Sequence, residues 1–193
     1  MARLNIFGFV KPSYYYSQVT SVAHDMIPPG ITFTSINDFN LDVDIADDLA
    51  ANLTRYALSK LANILFANQL QKKLEAEGIA AVVMSLHPGK IRTGKLSVTM
   101  DSSRLSSDGT IRMFGEERLA LVETMSVEDG ALTGLFAATD PVVWEEKDRY
   151  AAAYLVPYGV IGEKSENAQN EELAADLWEL SNKVIQSVLT PQK

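Results

Sequence analysis

The clearest periodicity in the chain lies between Leu53 and Leu74, where apolar residues recur at Leu58, Leu61 and Leu65 and at Ala62, Phe66, Leu70 and Leu74. These are adjacent stripes of one helix, and together they predict a broad buried face. Lys72, Lys73 and then Gly78 suit the end of that helix. Cations complement the partial negative charge there, and glycine tolerates the left-handed residue that closes the last turn. Ile79–Leu86 is almost continuously apolar, the pattern of a parallel strand covered on both faces. His87-Pro88-Gly89 stops it.

The flanking segments extend the alternation. Tyr14, Tyr15 and Tyr16, leading through Val19 to Thr20, carry the aromatic and β-branched bias of a strand that ends at Ser21, and Leu4–Val10 is a candidate for another. Between Asp25 and Asn52 the pattern breaks: Pro28-Pro29-Gly30 is a turn and Asn37–Asp48 is polar and acidic, so a surface loop, with room for a short helix, is expected. Lys90–Met125 is a variable stretch rich in serine and charge, dotted with Met100, Leu105, Met113, Phe114 and Leu119, and Met100, Met113, Phe114 and Met125 are expected to pack on the core. A second helix is predicted from Ser126, in capping-box spacing with Asp129, to Asp140-Pro141. Tyr150–Val156 reads as a strand stopped by Pro157, and Glu171–Val188 as a last helix with Leu173, Leu177, Val184 and Val188 on one side. Helices alternating with strands predict an α/β fold, and 193 residues without an internal repeat predict one domain, residues 1–193.

Composition narrows the partners. With 17 Lys and Arg against 25 Asp and Glu the net charge is −8, the wrong sign for gripping a phosphate backbone, so nucleic acid is not expected. No cysteine is present, which excludes disulfides and thiolate metal sites and favours a cytoplasmic location. No run approaches the roughly 20 apolar residues of a membrane span. His24 and His87, the two histidines, fall on separate elements and read as polar turn residues, and Asp42, Asp44 and Asp47 lack the glycine and spacing of a calcium loop, so no metal site is expected.

Chemistry points to Tyr56 and Lys60, four residues apart on one helix face. A phenol is a poor base at neutral pH, but a neighbouring ammonium favours its phenolate. Such a pair can take a proton from a hydroxyl or return one to a carbonyl oxygen. The spacing alone is common, and the surrounding string gives it weight. Tyr56-Ala57-Leu58-Ser59-Lys60-Leu61-Ala62-Asn63-Ile64-Leu65-Phe66 opens a buried helix that feeds a parallel-type strand, and His87-Pro88-Gly89 follows, with Thr93 four residues later.

These features closely resemble the short-chain dehydrogenase/reductase family, and within it the branch of retinol dehydrogenases and WW-domain oxidoreductases. Val19-Thr20-Ser21-Val22-Ala23-His24 is similar to the end of the family's serine-bearing strand, while Gly130-Ala131, Tyr154-Leu155-Val156-Pro157 and Leu177-Trp178-Glu179-Leu180-Ser181 are similar to the branch's closing elements. The resemblance covers residues 19–193, with residues 1–18 atypical. It implies a partial Rossmann-like parallel sheet, the carboxyl-terminal half of a doubly wound fold. It also implies an oxidoreductase that passes hydride between NAD or NADP and a small lipophilic alcohol or ketone. Tyr56, Lys60 and Ser21 would be its catalytic residues, and Tyr56, Lys60, Pro88, Gly89, Ile91 and Thr93 would line the cofactor. Gly8 is the only glycine before Gly30, so the family's glycine-rich phosphate turn has no counterpart here, and weak cofactor binding is expected. A non-catalytic binding or interaction module is the alternative. Without the neighbouring strands the serine-bearing strand should lie at a sheet edge, where a second copy or a partner would cover it.

Overall fold

The computed structural model describes residues 14–39, 48–91 and 125–189. Among these residues four strands form one sheet in the order β1 (Tyr14–Val19), β2 (Ala81–Leu86), β3 (Tyr154–Val156) and β4 (Val160–Ile161). The first three are parallel, and β4 folds back antiparallel on β3 through a turn at Pro157–Gly159. Strands β1 and β2 are linked across α1 (Asp48–Ala76), and β2 and β3 across α2 (Val127–Thr139) with two short helices, α3 (Val142–Glu145) and α4 (Lys147–Tyr150). A further short helix, α5 (Glu166–Gln169), leads into α6 (Glu171–Leu189). The α/β architecture expected from the alternation of elements is therefore present. Among the described residues no helix is long and apolar enough to cross a membrane.

Helices cover both faces of the sheet. On one side Leu58, Leu61, Ile64 and Leu65 of α1 pack with Leu173, Leu177 and Leu180 of α6, over Ile27 and Phe33. On the other, Val82, Met84 and Leu86 of β2 meet Ala137 of α2, Val143 of α3 and Tyr150 of α4. Strand β2 is buried on both faces, which explains its unbroken apolar sequence.

Element boundaries differ from the sequence pattern at two places. Helix α1 begins at Asp48, so Asn52, expected in the loop, is helical and Tyr56 lies in the third turn instead of at the helix start. The few residues between Asp48 and Leu53 are too short a run to show a stripe, although Ala51 is buried. The segment before α1 holds two 3₁₀ turns, Val22–Met26 and Ile36–Phe39. The strand expected over Tyr150–Val156 is only Tyr154–Val156. Tyr150 ends α4, and Ala152 adopts a positive φ of 56° that no strand residue takes. The helix from Ser126 is capped as expected: Ser126 Oγ accepts from Asp129 N at 3.0 Å and donates to Asp129 Oδ2 at 2.8 Å. Leu4–Val10, Met100, Leu105, Met113, Phe114 and the aspartates at 42, 44 and 47 lie outside the described residues.

Because β3 is short, it pairs with β2 only at Ser85 and Leu86. The amide of Val83 is satisfied instead by a side chain from α1: Gln71, 5% exposed, accepts from Val83 N at 2.7 Å and donates to Ala81 O at 3.3 Å. Gln71→Leu keeps the volume but leaves a buried amide without its partner, so it is expected to lower stability by about 1–3 kcal/mol. Urea unfolding checks this; an unchanged midpoint would remove Gln71 from the structural account.

Candidate active site

The carboxyl-terminal ends of β1 and β2 lie side by side. Val19 is in register with Leu86, which places Ser21 and Pro88 each two residues beyond the paired positions, at one end of the sheet. Leu155 of β3 pairs with Leu86, and so Pro157 joins the same rim. Crevices beyond the carboxyl ends of parallel strands are where such sheets bind ligands.

A short polar clamp fixes this rim to α1. Thr20, 3% exposed, donates its hydroxyl to Lys60 O at 2.6 Å, and its amide extends the ladder to Leu86 O at 2.7 Å. The carbonyl of Val19 accepts from Asn63 Nδ2 at 3.0 Å and from Lys60 Nζ at 3.5 Å. The chain then turns. Ser21 has extended backbone, φ −152° and ψ 154°, and caps the 3₁₀ turn Val22–Met26, its Oγ accepting from Ala23 N at 3.2 Å. That contact uses Ser21 as an acceptor and leaves its hydroxyl proton able to point at another oxygen. The 3₁₀ turn packs on α1, so Ser21 is held beside the helix that carries Tyr56 and Lys60.

Tyr56 and Lys60 sit one turn apart, as their spacing predicts. Lys60 Nζ lies 5.4 Å from the centre of the Tyr56 ring, and the Tyr56 side chain is 45% exposed. A half-open phenol beside an ammonium can exchange a proton with a bound oxygen. Of the residues expected to line a cofactor, Pro88 and Gly89 form the turn after β2. Gly89 has φ 97°, and a side chain there would overlap Met125 Sδ, so only glycine suits the position. Ile91 pairs with Met125, and its side chain packs into the notch left by Gly130 on α2. Thr93 lies outside the described residues.

Behind the rim is a group of residues that the chain pattern does not reveal. His24, read from sequence as a polar turn residue, is fully buried; Nδ1 is 2.8 Å from Ser21 O, and Nε2 accepts from Ser165 N at 3.3 Å. Burial is tolerated because both ring nitrogens find partners. Tyr154 packs edge-on against His24 at 5.0 Å. Its hydroxyl is buried without a hydrogen-bond partner among the described residues, and its pKa is pushed up to about 12 by burial, with Asp25 adding to the shift. Nothing in the local sequence of either residue signals this, since the groups that meet there come from distant segments.

His87, at the end of β2, accepts from Gly89 N through Nδ1 at 3.2 Å. Burial holds its pKa below the ordinary 6.5, and His24 and Lys90 add to the depression. The unfolded chain therefore takes up a proton here more readily than the native protein. Stability from this group is complete above about pH 6.5 and is lost as the pH falls from there through the lower native pKa. The melting temperature should drop as the pH is lowered from about 6.5, and less so in His87→Gln, whose amide oxygen can still accept from Gly89. Identical drops in both proteins would show that His87 does not contribute.

Comparison with known proteins adds an independent line. No family model matches the chain. A short-chain dehydrogenase/reductase of Armillaria gallica is 32% identical over 174 residues, 86% of this chain and 49% of that protein. Another from Macrophomina phaseolina is 29% identical over 194 residues, covering 92% of this chain and 90% of its own length. The WW domain-containing oxidoreductase of Danio rerio is 29% identical over 170 residues, which span 82% of this chain and 36% of that one. The chain thus spans about half the length of the Armillaria relative and most of the Macrophomina one. Relatives of one kind matched over most of the chain, on a parallel sheet whose rim carries Ser21 and whose following helix carries Tyr56 and Lys60, make this chain a member of the short-chain dehydrogenase/reductase family.

Proposed function

We propose that the chain is an oxidoreductase acting on a small lipophilic alcohol or ketone, with NAD or NADP as its cofactor. The observation that carries this reading is the Tyr56–Lys60 pair, ammonium 5.4 Å from the phenol ring, on the helix against which the Ser21 turn packs. The residues present fit the nicotinamide and ribose end of such a cofactor. Lys60 offers an ammonium at the rim, and the Pro88–Gly89 turn approaches closely because Gly89 has no side chain. A glycine-rich cradle for the pyrophosphate is not found among the described residues, so affinity should be low. When bound, the nicotinamide supplies or accepts the hydride.

The protein's own groups manage the proton and the substrate oxygen. Tyr56 gives its hydroxyl proton to a carbonyl oxygen during reduction, or takes one from a hydroxyl during oxidation. Lys60, one turn on, stabilises the phenolate by its charge. Ser21 donates a hydrogen bond to the same oxygen while its lone pair stays engaged with Ala23 N.

A second reading is favoured by the outer edge of β1, which no strand among the described residues pairs and where Tyr14, Tyr15 and Tyr16 are exposed. In that reading the chain is a binding module covered by a second copy or a partner. Titration of NADH and NADPH, followed by cofactor fluorescence, separates the two. Binding in or below the range of about 1 mM, with Tyr56→Phe losing roughly 10²-fold or more in turnover while affinity stays nearly unchanged, is the expected result. Absence of binding by either cofactor would overturn the enzyme reading, and unchanged turnover in Tyr56→Phe would overturn the role of Tyr56.

A further inference from the structure

Away from the rim, Lys164 stands between β4 and α5 in a setting unlike that of the other described lysines. Lys72 pairs with Glu171 at 2.9 Å and Lys147 with Asp148 at 3.1 Å, both in solvent. Among the described residues no carboxylate lies within ion-pair distance of Lys164. Its Nζ donates instead to two neutral oxygens, Asn68 Oδ1 at 2.7 Å and Ala152 O at 2.5 Å. Both acceptors are fixed. Asn68 Nδ2 is tied to Ala168 O at 2.8 Å, and Ala152 is set by its positive φ and by its amide bond to Val83 O. Two acceptors satisfy both N–H groups of an uncharged amine and leave its lone pair unengaged; an ammonium would have a third proton to place.

Lys164 also borders two cavities, of about 710 and 550 Å³. The first is walled by Asp25, Glu163 and Glu166, the second by Asn68, Ala152 and Glu171. Burial alone pushes the amine down to about 8 from an ordinary 10.5. A desolvated lysine that lines a cavity and has an unengaged lone pair when uncharged is the arrangement that carbonyl-capturing amines need.

We propose that Lys164 is a carbonyl-capture site, forming a reversible imine with small uncharged aldehydes that enter the flanking cavities. The Nζ lone pair attacks the carbonyl carbon and makes the C–N bond. The carbinolamine then loses its oxygen as water, both hydrogens of which come from nitrogen, and the C=N bond forms; amine and aldehyde give imine and water without any oxidant or reductant. Protonated, the imine keeps one N–H for Asn68 Oδ1 or Ala152 O. The acidic wall of Asp25, Glu163 and Glu166 selects against anionic carbonyl compounds and tolerates this cation. The site is independent of Tyr56 and of whether the chain turns over an alcohol.

The test uses the intact protein with propanal and cyanoborohydride, which freezes imines as secondary amines, followed by peptide mass mapping of each lysine. At about pH 7.5 Lys164 should be labelled roughly tenfold faster than Lys147, because a larger uncharged fraction outweighs its weaker basicity. Its rate should level off above about pH 8. Lys164→Arg, which retains donors for both oxygens, should lose the fast phase and keep its melting temperature. Replacing propanal by the anion glyoxylate should lower the preference for Lys164 over Lys147. Labelling of Lys164 no faster than Lys147 would overturn the proposal and leave the residue a structural strut; an equal preference with glyoxylate would overturn the selection for uncharged aldehydes.

Discussion

The carbonyl of Val19 is the point on which the rim depends. It ends an edge strand, and on its own it would be free to fray. Asn63 and Lys60 both donate to it, and Thr20 returns a hydroxyl to Lys60 O, so one short stretch of β1 and one turn of α1 are joined at three places. Each bond is worth only about 1 kcal/mol net. Their importance is geometric, since Ser21 follows Thr20 directly and Tyr56 precedes Lys60 by one turn. A slip of one residue in either element would turn Ser21 away from the helix. Lys60 therefore has two tasks: its aliphatic reach and one N–H hold the strand, and its charge faces the Tyr56 ring.

The same helix carries the other polar ties of the fold. Gln71, three turns beyond Lys60, completes the hydrogen bonding of β2 where β3 is too short to do so, and Asn68 joins α1 to α5 and to Lys164. Its apolar positions, Leu58, Leu61, Ile64 and Leu65, fill the layer shared with α6. Hydrophobic burial holds α1 on the sheet without fixing its axial position, because dispersion and solvent exclusion have no direction. The directional side-chain bonds at Lys60, Asn63 and Gln71 supply that position.

Much of this frame can be read along the chain, for a physical reason. Helix α1 and strand β2 are buried over long, continuous faces, so their periodicity survives in the sequence and locates Tyr56, Lys60 and the Pro88–Gly89 turn. The pattern is weakest where burial and secondary structure part company. Tyr150 and Ala153 are buried, but they lie in a helix end and a turn, which an apolar run cannot tell from a strand. The first turn of α1, Asp48-Leu49-Ala50-Ala51, follows an acidic stretch and is too short to show a helical period of its own. His24 and Lys164 were beyond reach for another reason. A buried histidine or lysine is recognised by its partners, and these lie far away in sequence, at Ser165 for His24 and at Asn68 and Ala152 for Lys164.

The two lysines that matter most show how little the residue type decides. Lys60 and Lys164 both donate to a main-chain oxygen. Lys60 does so at 3.5 Å on an open rim beside an aromatic ring, where an ammonium is welcome because water and the ring's negative face both favour it. Lys164 does so in a half-buried corner, with two neutral acceptors and no carboxylate within ion-pair distance among the described residues, where the charge is the expensive form. The rim thus sets a lysine beside a phenol ring, and the corner holds a lysine whose charge is disfavoured by burial. One fold can hold both because β1 leaves its end open to solvent, whereas the segment after β4 is closed over by α1 and α5.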